Sequence, residues 1–168
     1  GWLFGAGYFL LGVSWIYGSM QTVDTPLWLS LILTGGFCLA MAAFHLFQMW
    51  FFFRFLRILP LALLLIAPLW WVINEWVREW LFTGMPWLYA GYALTDQAAG
   101  QLAAVFGVYG LSLFVALCAS WALKTGYLWF SKRNKAAFSY LAIALGLFGV
   151  ASLTGQLKPA SSWTQELR

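Results

Sequence analysis

Charge is scarce in this 168-residue chain. Nine Lys and Arg, five Asp and Glu and a single His leave 8% of positions charged, against roughly a quarter in an ordinary soluble chain. Hydrophobic residues make up 63%, and mean hydropathy is +0.81. So few polar groups cannot cover the surface of a globular domain, which excludes a soluble protein. Disorder is excluded too, because disordered chains are poor in apolar and aromatic residues. A pI of about 9.3 and a net charge of +4 point superficially to nucleic acid. The basic residues, however, are few and separated by apolar runs instead of sharing one face, so no nucleic-acid partner is expected. Cysteine is nearly absent: Cys38 and Cys118 lie in different apolar stretches, where the thiolate is disfavoured and no base or metal partner stands nearby. Both read as small packing residues. The lone His45, in Ala-Phe-His-Leu-Phe, has no second ligand at helical spacing and reads as a neutral, hydrogen-bonded intramembrane His. Phosphate loops, metal clusters, nucleophile elbows, cofactor motifs and internal repeats are all missing; neither metal nor cofactor is expected, and none of these residues is assigned a catalytic role.

What the chain does have is length of apolar sequence and aromatic rings: 12 Trp, 7 Tyr and 15 Phe. A bilayer crossing takes about 20 mostly apolar residues. Five stretches qualify, at about 1–20, 26–50, 58–82, 99–123 and 136–154, with polar breaks at 21–25, 54–57, 95–97 and 124–135. The runs are continuous and do not alternate with period two, which argues for helices over barrel strands. The expected fold is therefore an all-α integral membrane bundle of about five transmembrane helices. Gly1 is not an initiator Met, and an apolar run follows with no charged leader region or cleavage site. The chain is expected to be a fragment beginning inside or just before a span.

Orientation follows from Lys and Arg, which cytoplasmic loops retain. Arg54, Arg57, Lys124, Lys132, Arg133 and Lys135 fall in two loops on one side; Asp24 and Asp96 sit in the short loops opposite. Residue 1 is then expected on the cytoplasmic side, with the polar tail 156–168 emerging outside as a linker.

The third stretch contains the most informative polar residues. Charges within spans are rare and usually face a bundle interior or an aqueous cavity. Counting from Pro60 as a first-turn residue, Glu75 lies about 22 Å along a helix, in the outer part of the membrane. Glu75 and Arg78 share a face, and Glu79 adds a second acid able to bridge Arg78. One reading is an ion pair that anchors the helix near the interface; the other is an outward-facing pocket in which Arg78 grips a lipid or peptide group. Thr83-Gly84-Met85-Pro86-Trp87-Leu88-Tyr89-Ala90-Gly91-Tyr92 follows. Gly84 and Pro86 end a helix, and Trp87, Tyr89 and Tyr92 suit a membrane interface with or without a further role. Trp70, Trp71, Trp76 and Trp80 read as lipid-facing or core residues. Near the start, Gly1 and Gly5 have GxxxG spacing for close helix packing, and Trp15 and Tyr17 bring aromatics to the outer interface.

Three blocks resemble the membrane region of the apolipoprotein N-acyltransferase family. Gly1-Trp2-Leu3-Phe4-Gly5 through Gly12-Val13-Ser14-Trp15-Ile16-Tyr17 looks like its glycine-rich span with a closing Ser/Asn-Trp-Ile/Val-Tyr signature. The run from Glu75-Trp76-Val77-Arg78 to Thr83-Gly84-Met85-Pro86-Trp87-Leu88, then Gly91-Tyr92, matches its most specific segment in register. Gly107-Val108-Tyr109-Gly110 matches a further position. Glu79 and Met85 depart from the family's usual Gly and Phe. The resemblance covers essentially the whole chain, more weakly in the second and fifth spans.

The resemblance implies an acyltransferase of the bacterial inner membrane that moves an acyl chain from a phospholipid donor to the α-amino group of the N-terminal diacylglyceryl-cysteine of apolipoproteins. It implies a Glu–Lys–Cys triad in an extracytoplasmic carbon–nitrogen-hydrolase domain beyond this chain, so the fragment alone is expected to be inactive. By resemblance, substrate contact or entry falls to Trp87 and Arg78, with Glu75 orienting Arg78 and Trp15, Tyr17, Pro86 and Tyr92 lining the same outer rim. The competing reading is a non-catalytic membrane scaffold or lipid-binding protein. A small transporter ranks third, since the charges cluster at one edge instead of the midplane.

Overall fold

The computed structural model describes residues 1–59, 61–81 and 84–157, with side chains omitted at 134 and 154–157. Among them every regular element is helical. The chain forms two compact units, Gly1–Arg57 and Ile58–Arg168.

In the first unit, α1 (Trp2–Gly12) and α2 (Trp15–Gln21) meet at a 46° bend. Pro26 then opens α3 (Leu27–Phe51), which runs into a π-helical turn at Phe52–Leu56. Helix α1 lies against α3 along Gly1 and Gly5. A Cβ on Gly5 would stand 2.9 Å from the His45 Cβ and 3.0 Å from the Ala42 Cα, so only glycine permits this approach. His45 is buried there, its ring 5.3–5.5 Å from those of Phe4, Tyr8 and Phe9. Cys38 is fully buried as well. Gln21 Nε2 donates to Ser30 Oγ at 2.8 Å and ties the end of α2 to the first turn of α3.

The second unit begins irregularly. Leu61 adopts φ +56° and leads into a π-helical turn, Ala62–Ile66, before α4 (Ala67–Trp80) with Pro68 in its first turn. Pro60, the expected helix start, lies outside the described residues, so the depth reckoned from it does not carry over. Glu75 stands eight residues into α4, about 12 Å from its first residue. After α4 the chain has no regular element through 84–89, then makes two 3₁₀ turns, Ala90–Leu94 and Ala98–Leu102. Helix α5 (Ala103–Phe130) follows, interrupted at Gly107 (φ +64°, ψ −177°). Helix α6 (Asn134–Leu157) returns along it. Ring pairs Phe114–Phe148, Trp121–Tyr140 and Trp129–Phe138 zip α5 to α6, while Leu94, Ala99, Leu111 and Ala151 form a small core at the other end.

Leu27–Leu56, Ala98–Phe130 and Lys135–Leu153 are long and apolar enough to cross a membrane, and the bent α1–α2 pair makes a fourth if it counts as one span. The multi-pass helical class stands, and five is an approximate count. The stretch at 58–82 is the exception: it is broken by the turn at 61–66 and carries Glu75, Arg78 and Glu79 within its last six described helical residues. Large apolar side chains cover the outside, among them Leu3, Leu11 and Phe130 at more than 80% exposure. That is the surface expected where the solvent is lipid.

Candidate functional site

The last two turns of α4 and the segment that follows form one polar assembly within an apolar unit. Glu75 and Arg78 are 3% and 5% exposed, and each reaches out of its helix to hold the loop. Glu75 Oε1 accepts from the Trp71 indole N–H at 2.8 Å and from the Ala90 backbone N–H at 2.7 Å. Arg78 Nη2 donates to the carbonyls of Trp87 and Leu88 at 3.1 and 3.3 Å. The Arg78 carbonyl in turn accepts from the Met85 N–H at 2.9 Å. A carboxylate therefore holds a donor of the loop while a guanidinium holds its acceptors, and charge-assisted bonds of this kind are the stronger ones.

Local backbone explains why the loop takes this path. Gly84 has φ +87°, and a Cβ there would collide with the Glu79 carbonyl. Leu88 is also left-handed at φ +59°, a conformation costly for a branched side chain and stable only where surroundings over-determine it. The Arg78 bonds to the Trp87 and Leu88 carbonyls supply such surroundings. Gly91 lies so close to α5 that a Cβ would sit 2.5 Å from the Val108 carbonyl oxygen. Its N–H donates to the buried Ser112 Oγ at 2.9 Å.

A ring stack completes the assembly. The Arg78 guanidinium lies 5.5 Å from the centroid of Tyr89, which stacks on Tyr92 at 5.5 Å and tilts against Tyr109 at 5.4 Å. The Tyr109 hydroxyl donates to Glu79 Oε2 and lies 3.5 Å from the Tyr89 hydroxyl. Burial pushes the Tyr89 phenol up, so it stays neutral at physiological pH. Met85, near the start of the loop, is buried.

Outward, the assembly presents Pro86, Trp87 (49% exposed) and Tyr92 (46% exposed), and the Tyr92 hydroxyl reaches the Pro86 carbonyl at 3.4 Å. Five of the expected site residues, Glu75, Arg78, Pro86, Trp87 and Tyr92, thus come together in the second unit. Trp15 (52% exposed) and the half-buried Tyr17 lie on α2 of the first unit. Thr83 lies outside the described residues. Glu79, expected to bridge Arg78, takes the Tyr109 phenol, and the acceptors described for Arg78 are loop carbonyls. Four supporting residues were not recognised from sequence as partners: Trp71, Tyr89, Tyr109 and Ser112. Only Trp71, four residues before Glu75 on one helix face, carried a local signal.

Comparison with known proteins identifies the family. The model of the family described as apolipoprotein N-acyltransferase N-terminal domain matches residues 1–121. Proteins named apolipoprotein N-acyltransferase are similar to this chain in Coxiella burnetii (41% identical over 69% of this chain and 24% of the relative), Methylococcus capsulatus (35%, over 89% and 29%) and Pseudomonas syringae (34%, over 98% and 32%). The chain spans about a quarter to a third of the length of these relatives. With nearly three-quarters of its residues matched by that N-terminal domain, the chain belongs to the apolipoprotein N-acyltransferase family.

Proposed function

We propose that this chain is the membrane part of an acyltransferase that moves a phospholipid acyl chain to the α-amino group of the N-terminal diacylglyceryl-cysteine of apolipoproteins. Residues 1–155 make the membrane region, and 156–168 lead as an extracytoplasmic linker toward a carbon–nitrogen-hydrolase domain that holds the Glu–Lys–Cys triad. The membrane is the bacterial inner membrane. Neither Cys38 nor Cys118 takes the nucleophile's place: both lie on membrane helices, and Cys38 is fully buried, whereas a reactive thiolate needs an accessible, electropositive setting.

The observation that carries this reading is the loop itself. Two buried ionic side chains hold its backbone, yet Trp87 and Tyr92 face outward. Rigid backing beneath exposed rings suits a surface that contacts an amphipathic substrate, because rings immobilised beforehand lose little freedom on binding. In this role Arg78 and Glu75 shape the loop, Trp87 and Tyr92 touch lipid or lipopeptide, Pro86 sets the turn between them, and Trp15 and Tyr17 add to the outer rim.

In the acyltransferase that carries this chain, Trp87→Ala is expected to slow acyl transfer about tenfold or more, the loss typical of truncating an aromatic anchor, while helix content and thermal midpoint stay unchanged. Unchanged turnover in a purified assay with phospholipid donor and diacylglyceryl peptide acceptor would remove Trp87 from the site.

A further inference from the structure

A second cavity lies along the middle of α5. The π-helical turn at 62–66, α5 and α6 enclose a groove of about 580 Å³, lined by Leu61, Leu65, Leu117, Trp121, Tyr140 and Ile143 among others. That volume is within the roughly 300–1,000 Å³ of small-ligand sites. The groove is mostly apolar, and Ser139 and Tyr140 bring hydroxyl-bearing side chains to its lining beside Trp121.

Basic residues adjoin the groove-lining residues along the chain. Lys124 lies one helical turn beyond Trp121, and Lys135 immediately precedes Ala136 of the groove wall; Lys132 and Arg133 stand exposed in the turn between α5 and α6. From Ala103 to Leu157 these four positive charges have no acidic residue to balance them. The acids Glu75 and Glu79 belong to the Trp87 assembly, which meets α5 at Tyr109 and Ser112. On α5 the nearest residues of the two sites, Ser112 and Leu117, stand five residues apart, about 7.5 Å along the helix, and the sites share no residue.

We infer that this groove holds one anionic phospholipid, with acyl chain along Leu65, Leu117 and Ile143 and phosphate on Lys132, Arg133 and Lys135. Basic pockets between membrane helices recognise anionic headgroups in this way. The occupant is assigned as a resident lipid and not the acyl donor, because the groove shares no residue with the Trp87 assembly.

The test is native mass spectrometry of the full-length protein in mild detergent, titrated with palmitoyl-oleoyl phosphatidylglycerol or with phosphatidylcholine of the same chains. One phosphatidylglycerol is expected to bind about tenfold or more tightly than phosphatidylcholine. Lys132→Gln, Arg133→Gln and Lys135→Gln together, all at exposed positions, erase that preference. Equal binding of the two lipids, or a preference that survives the triple substitution with helix content intact, overturns the inference. So does displacement by glycerol 3-phosphate, which has no chain to occupy the groove. Acyl transfer is not the readout, so failure here and failure of the Trp87 reading are distinguishable.

Discussion

Glu75 shows how much one side chain decides. Its Oε1 satisfies two donors at once, the Trp71 indole N–H and the Ala90 amide, both in surroundings that exclude water. Truncation to Ala orphans both, at about 1–3 kcal/mol each, and Glu75→Ala is expected to lower the thermal midpoint clearly in detergent. Glu75→Gln retains an acceptor oxygen and falls between. If Glu75→Ala melts like the parent protein, the carboxylate does not hold the loop. The acid and Arg78 were visible in sequence as rare charges within an apolar stretch. Their targets were not: each grips backbone atoms nine to fifteen residues away, and hydrogen bonds to backbone leave no mark on residue type.

At the level of elements, Gly107 governs α5. Its φ of +64° with ψ of −177° is a conformation essentially restricted to glycine. It divides the first turn of α5 from the rod that carries Tyr109, Ser112 and Trp121. Nothing lies within 4 Å of a Cβ built there, so the cost of Gly107→Ala is purely conformational, about 1–3 kcal/mol. A reduced thermal midpoint is expected, and an unchanged one would mean that α5 runs straight in solution. The sequence block around Gly107 stood out only through resemblance, and its residue types do not announce the positive φ. Hydropathy alone reads 58–82 as continuous, whereas Leu61 at positive φ and the π-helical turn after it interrupt the rod.

For the whole molecule, the testable quantity is orientation. With Cys38 and Cys118 replaced by Ser, a single cysteine at Lys132 is expected to react with an impermeant maleimide only after the membrane is opened, and one at Asp96 to react from outside in intact spheroplasts. The reverse pattern would place the Trp87 loop on the cytoplasmic side, away from any extracytoplasmic module. Composition and run length determined by themselves that this is a multi-pass helical membrane protein, because the requirement for internally satisfied backbone and apolar surface acts on every residue of a span. They also marked the segment from Glu75 to Tyr92 as unusual. Only the tertiary structure decided that Glu75, Arg78, Tyr109 and Ser112 converge on one loop, and that the turn at 62–66, α5 and α6 line a groove. Those features depend on where distant segments meet, and contact across fifteen to thirty residues is set by packing and backbone geometry, which the hydrophobic pattern leaves open.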